Sequence, residues 1–120
     1  MADIFITGSA RTAIGSFQGA FSTLSAPELG GHAIQAALTQ SGIDATAIDD
    51  VIMGCVLPAG LGQAPARQAG FHAGLSHSTP ATTVNKMCGS GMKAVMLGYD
   101  QLASGDVNTV ITGGMESMTN

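Results

Sequence analysis

The sequence has 120 residues and a mass of 12.0 kDa, which is chain enough for one domain. Apolar residues make up 45% and Asp, Glu, Lys and Arg only 10%, where a soluble domain carries about 25% charge, so a disordered chain is excluded. The net charge of -4 and pI near 4.9 leave no basic patch for nucleic acid or an anionic membrane, and no apolar run reaches the roughly 18 residues of a membrane span.

Met1–Thr12 lacks the basic start and apolar centre of a secretory leader. Two cysteines, Cys55 and Cys88, cannot form a disulfide framework, so the chain reads as reduced, intracellular and cytoplasmic. The shortage of charge points to a surface covered by other protein, in a tight oligomer or as one piece of a larger body.

In chain order, Asp3–Thr7 is a short apolar run stopped by Gly8 and predicts a buried strand. A Gly- and Ser-rich loop follows to Leu24. Ser25-Ala-Pro-Glu28 then reads as a helix start, with Ser25 capping, Pro27 in the first turn and Glu28 closing a capping box. The helix extends to about Gln40, with Leu29, Ala33, Ala36 and Ala37 on one face and Gly42 just past its end. Val51–Leu57, stopped by Pro58, is a strand apolar on both faces. Pro65 opens a short helix over Ala66–Ala73, closed by Gly74. Ala81–Asn85 is a third strand of β-branched character. A helical period of Met92, Val95, Met96, Tyr99 and Leu102 marks Gly89–Ala103, and Gly105 ends it. Val107–Thr112 is a fourth strand before Gly113 and Gly114. The order βαβαβαβ predicts an α/β fold, a mostly parallel sheet with helices packed on it.

The densest chemistry lies in Asn85-Lys-Met-Cys88-Gly-Ser-Gly91. A strand ends, a turn follows, and a helix begins beside a cysteine, at the sheet edge where open α/β folds place their sites. Helix-start amides and the helix dipole favour negative charge on such a sulfur. Gly89 and Gly91 bring no side chain to obstruct a substrate, and the backbone amides can hold an oxyanion, as acyl transfer to a nucleophile requires. A lone free cysteine is more often a small buried apolar residue; the glycine-flanked turn is what favours the nucleophile. A competing reading takes Gly89-Ser-Gly91-Met-Lys-Ala94 as a G-x-G-x-x-A dinucleotide turn, with Glu116 as ribose ligand after the next strand. Residues 85–88 intervene before its first Gly, where such a turn is tighter.

Other residues carry less. Cys55 sits in a buried strand and reads as packing. His32, His72 and His77 lack metal-ligand spacing, so no metal is expected. Ser90 has no G-x-S-x-G elbow. Arg67, in a charge-poor chain, predicts an ion pair or subunit contact. The seven methionines read mostly as core filler, with Met87 and Met92 flanking the turn.

Asn85-x-x-Cys88-Gly-Ser-Gly91 resembles the nucleophile motif of thiolases. Ser9–Phe17, Val56–Gly60 with Gly62–Gln68, and Gly113–Met118 are similar, in order, to further segments of that family. The resemblance covers residues 3–120 and is nearest to the acetyl-CoA C-acetyltransferase type. It implies that residues 1–120 are the amino-terminal part of a duplicated fold, without the loop domain and carboxyl-terminal domain. It implies an acyl-CoA acyltransferase with Cys88 as nucleophile and its amide in an oxyanion hole, making or cleaving acetoacetyl-CoA or a 3-oxoacyl-CoA. Acetyl-CoA or acyl-CoA is then substrate, with no separate cofactor. A dimer or tetramer is also implied, with the strand Ala81–Asn85 near the dimer axis. The family's Gly-His-Pro histidine, Asn-Glu-Ala segment and Cys-x-Gly base do not occur in this sequence. The piece alone is therefore expected to be inactive, and a non-catalytic, thiolase-like binding subunit is the alternative.

Overall fold

The computed structural model describes residues 3–120. Strands β1 (Asp50–Gly54), β2 (Ala81–Val84) and β3 (Val110–Gly114) form one parallel sheet in the order β2-β1-β3. Helices α1 (Ala26–Ser41), α2 (Pro65–His72) and α3 (Ser90–Ser104) complete the α/β fold, with a 3-10 turn at Ala45–Ala47 before β1. Among the described residues, no helix is long and apolar enough to cross a membrane.

β1 is the centre of the sheet and is buried throughout. Its side chains alternate between two layers, as a strand's period of two requires. Val51 and Met53 belong to the core with Ile34 of α1, Ala66 and Ala69 of α2, and Leu75; Cys55, one residue past β1, joins them. On the other face Gly54 lies directly under the start of α3. The connection from β2 crosses over β1 to reach β3, reversing the direction of the step from β1 to β2. With right-handed crossovers, that reversal puts α3 on the opposite face from α2.

The ends of α1 form as the sequence predicts. Ser25 accepts from the Glu28 N–H at 3.3 Å, the Ser25 N–H donates to the Glu28 carboxylate at 2.7 Å, and Gly42 closes the helix in the left-handed conformation. The hydrogen bond from the Ser25 amide holds the Glu28 carboxyl below its ordinary pKa.

The buried face of α1 differs from expectation. Ala26, Pro27, Gly30, Gly31 and Ile34 face inward, whereas Ala36 is exposed. The glycines are selected by distance: a Cβ on Gly31 would come within 2.4 Å of His72 Cβ, and one on Gly30 within 2.7 Å of Met115 Sδ.

The larger correction concerns Asp3–Thr7, which forms no strand. Phe5 and Ile6 are 76% and 85% exposed. A strand needs a neighbour to complete its ladder, and among the described residues these have none. The chain just after it meets the end of α1, where the Ser9 N–H donates to Gln40 Oε1 at 2.6 Å. β3 starts later than expected, at Val110, because the carboxylate of Asp49 holds the Asn108 and Thr109 amides in a turn.

α3 inverts the reading of its apolar period. Ser90, Ala94 and Gly98 are its buried residues, while Met92, Val95, Met96 and Tyr99 are exposed. The helix lies too close to the sheet for large side chains between them: a Cβ on Gly98 would meet Thr112 Cγ2 at 2.4 Å. The expectation that the methionines mostly fill the core holds for Met53 and Met115 and fails for Met96 and Met118, while Met87 and Met92, set beside the turn, are exposed.

A Cβ on Gly54 would stand 2.6 Å from both the Cβ and the carbonyl carbon of Ser90. Gly54→Ala must therefore lift the start of α3 from the sheet. In the full-length protein it is expected to cost about 1–3 kcal/mol of stability, read as a lower Tm by calorimetry; an unchanged Tm would show that α3 can retreat freely.

Candidate active site

The loops leaving the carboxyl ends of β1 and β2 run to helices on opposite faces of the sheet. Adjacent strands whose connections diverge in this way open a crevice at their carboxyl ends, the place where open α/β sheets bind ligands. Val56 stands on one side of it and Asn85 on the other, joined by a hydrogen bond from Asn85 Nδ2 to the Val56 carbonyl at 3.3 Å.

The turn from Asn85 to Ser90 is pinned from within. The Met87 N–H donates to Asn85 Oδ1 at 2.9 Å, and the Lys86 N–H to Ser90 Oγ at 2.9 Å. Ser90 Oγ in turn donates to the Met87 carbonyl. The Gly89 N–H donates to the Lys86 carbonyl and the Ser90 N–H to the Met87 carbonyl, each at 3.1 Å. The amides of Lys86, Met87, Gly89 and Ser90 are thus all engaged inside the turn.

Within this frame Met87 adopts φ +51°, a left-handed conformation disfavoured for a residue with a side chain. That bend lifts the next residue outward: Cys88 is exposed, directly before the Gly89 cap of α3. Ser90, by contrast, is buried, and its hydroxyl is committed to two bonds inside the turn. Gly91 also has a role the sequence did not suggest. Its Cα lies against Gly114 of β3, where a Cβ on Gly114 would come within 3.1 Å of it. A Cβ on Gly89 would meet Lys86 only in ordinary contact.

Glu116 stands just beyond β3 and reaches across to the exit of β1. Its Oε2 accepts from the Val56 N–H at 2.8 Å and its Oε1 from the Leu57 N–H at 3.2 Å. Both oxygens are occupied by backbone, which leaves the dinucleotide reading without its ribose ligand. The sequence singled out Glu116 only for that role. The signal it missed was a carboxylate directly after a strand exit in a chain nearly bare of charge.

Cys55 lies beside this carboxylate, its Sγ 3.9 Å from Glu116 Oε1. The residue is 2% exposed. Burial first, and the negative charge of Glu116 second, push its thiol pKa above the ordinary value. Arg67, expected in an ion pair or a subunit contact, bonds backbone of its own chain: it donates to the carbonyls of Thr79 at 3.1 Å and His77 at 2.7 Å and lies over the Phe71 ring. No group of three or more His, Cys, Asp or Glu gathers to hold a metal among the described residues.

The family described as the thiolase N-terminal domain matches residues 4–120. The chain belongs to the thiolase family. The acetyl-CoA acetyltransferase of Rhizobium meliloti (strain 1021) is 53% identical over 116 residues, 97% of this chain and 30% of the relative. The mitochondrial acetyl-CoA acetyltransferase B of Xenopus laevis is 53% identical over 118 residues, 98% of this chain and 28% of the relative. Among solved structures, the Acat5 thiolase from Ascaris suum in complex with coenzyme A superposes with a TM-score of 0.96 at 38% identity. The match covers 99% of this chain and 31% of that one. This thiolase chain therefore spans less than a third of the length of these relatives.

The two cysteines of this thiolase chain differ in access, and burial with the Glu116 charge raises the pKa of Cys55. Brief treatment of the full-length native protein with iodoacetamide is expected to modify Cys88 and spare Cys55, with both modified after denaturation. Peptide mapping of the adducts checks this, and early labelling of Cys55 would contradict the packing described.

Proposed function

We propose that the chain is the nucleophile-bearing part of an acyl-CoA acyltransferase and that Cys88 carries the acyl group. The observation that carries this reading is the Asn85–Ser90 turn: its internal bonds close it beyond the carboxyl end of β2 and leave Cys88 exposed. The relatives named for acetyl-CoA support the substrate class, acetyl-CoA or a longer acyl-CoA.

The chemistry proceeds in two halves. The Cys88 thiolate attacks the carbonyl carbon of an acyl-CoA, forming a carbon–sulfur bond and a tetrahedral oxyanion. In this reading the Cys88 N–H stabilises that charge. Collapse breaks the bond to the CoA sulfur, and CoA leaves with the proton that Cys88 gave up. In the second half, a second acetyl-CoA that has lost a methyl proton attacks the acyl-cysteine, releasing acetoacetyl-CoA and regenerating Cys88. Thiolysis of a 3-oxoacyl-CoA is the reverse. The family's motifs for those proton transfers are a Gly-His-Pro histidine, an Asn-Glu-Ala segment and a Cys-x-Gly base. They are absent from these 120 residues, so turnover is assigned to the whole protein and none to this stretch alone.

The exposed apolar face of α3 and the open edge of β2 fit such an assembly. Met92, Val95, Met96 and Tyr99 form an apolar surface of the kind that protein contacts cover. β2 is an edge strand, half-buried and rich in Thr and Val, suited to pairing with its twin in a dimer or dimer of dimers. The free thiols suit a reducing compartment such as the cytoplasm.

Full-length protein incubated with acetyl-CoA is expected to gain one acetyl group, mapped by mass spectrometry to Cys88. Cys88→Ala is expected to abolish the adduct and lower turnover on the order of a thousandfold or more. An adduct on another residue, or one that survives Cys88→Ala, would sink the assignment.

A further inference from the structure

The turn that presents Cys88 is not held by its own bonds alone. It is anchored through Asn85 to the Val56 carbonyl, and the Val56 peptide is itself fixed at its other end by Glu116. The bonds form one path. The Glu116 carboxylate, extending from the exit of β3, accepts the Val56 and Leu57 N–H groups at the exit of β1. The Val56 carbonyl accepts Asn85 Nδ2 at the exit of β2. Asn85 Oδ1 accepts the N–H of Met87, the left-handed residue next to Cys88.

From this we infer that Glu116 is a positioning residue for Cys88, a clamp that ties the exits of all three strands together and holds the amide of the nucleophile in register.

A carboxylate suits the task better than its neutral isostere. Val56 and Leu57 present donors to different oxygens of one side chain, and a charged acceptor makes the stronger bond to each. An amide in the same place offers one acceptor and turns an N–H₂ toward the second donor. Val56 and Leu57 lie beyond β1, where the β1 ladder no longer fixes the chain. Leu57 is exposed as well, so little packing replaces the lost bond. Met87 is the vulnerable link: a left-handed backbone in a residue with a side chain persists only when its surroundings over-determine it.

The inference rests on the proposed role of Cys88 and is tested in the full-length protein. Glu116→Gln changes almost no volume. It is expected to lower kcat for acetyl transfer by about tenfold or more, since a displacement of the order of an ångström at a reacting group has effects of that size. KM for acetyl-CoA is expected to stay within about twofold, because the clamp acts on the reacting geometry and not on substrate binding. Asn85→Ala breaks the same path farther along and is expected to reproduce this split. The double variant is expected to be about as slow as the slower single variant, as residues on one path are non-additive. A residue that served stability alone would lower Tm and leave kcat per folded molecule unchanged.

A kcat for Glu116→Gln within about twofold of wild type, or multiplicative losses in the double variant, overturns the clamp. If Glu116→Gln does not fold, Asn85→Ala carries the test alone, and an unchanged kcat there overturns it equally. The acetyl adduct of the wild-type protein is mapped in the same series. An adduct away from Cys88 overturns the acyl-transfer reading and the clamp with it, whereas an adduct on Cys88 with unchanged kinetics of the variants overturns only the clamp.

Discussion

The site depends on how closely the start of α3 can approach the carboxyl end of the sheet. Gly54 of β1 and Gly114 of β3 meet Ser90 and Gly91 of α3 where side chains on the strands would otherwise keep the layers apart. Because Gly54 is bare, Ser90 can lie directly over β1 and be buried there. From that position its hydroxyl reaches back to the Lys86 amide and the Met87 carbonyl, closing the turn from below. With the turn closed, Met87 is bent into its left-handed conformation and Cys88 is directed outward. Glycine packing several residues away in space thus becomes the exposure of one sulfur.

The same closeness accounts for the molecule's unusual surface. A helix seated this tightly can bury only small residues, and α3 buries Ser90, Ala94 and Gly98. Its large apolar residues must then stand on the far side: Met92 is 73% exposed, and Val95, Met96 and Tyr99 follow along the helix. Together with Phe5, Ile6, Ile14 and Phe17 in the amino-terminal segment, they place apolar atoms where a soluble domain would ordinarily carry charge. The low charge content of the sequence is therefore a property of particular faces and not a thin, even coating.

Much of this was legible in the sequence, and the parts that were not share a cause. Caps and stops are local chemistry, so Ser25, Glu28, Gly42 and Gly105 marked the helix ends correctly. The Cys88 turn was legible for the same reason, because a strand, a short glycine-flanked link and a helix follow in order. Faces and partners are not local. The apolar period of α3 announced a helix but not which side met the sheet, since a Gly98 pressed against Thr112 leaves no periodic trace. Asp3–Thr7 has the composition of a strand, yet a strand exists only where another completes its hydrogen bonds. Glu116 escaped its role because the amides it binds lie about sixty residues away, across the sheet.

The two cysteines show what that distant contact does. Both follow a parallel strand at the same end of the sheet, and by composition nothing separates them. Cys55 continues directly from β1 into the core, so desolvation alone disfavours its thiolate. The Glu116 carboxylate, brought there to hold Val56 and Leu57, adds a negative charge beside the sulfur and disfavours it further. Cys88 follows β2 through a turn whose bonds hold it clear of the core, and it stays exposed. One carboxylate therefore bears on both places. By proximity it raises the pKa of the first thiol further, and through Val56, Asn85 and Met87 it fixes the backbone beside the second. A sheet edge with two sulfurs is left with one enclosed and one exposed, without any residue having to distinguish them directly.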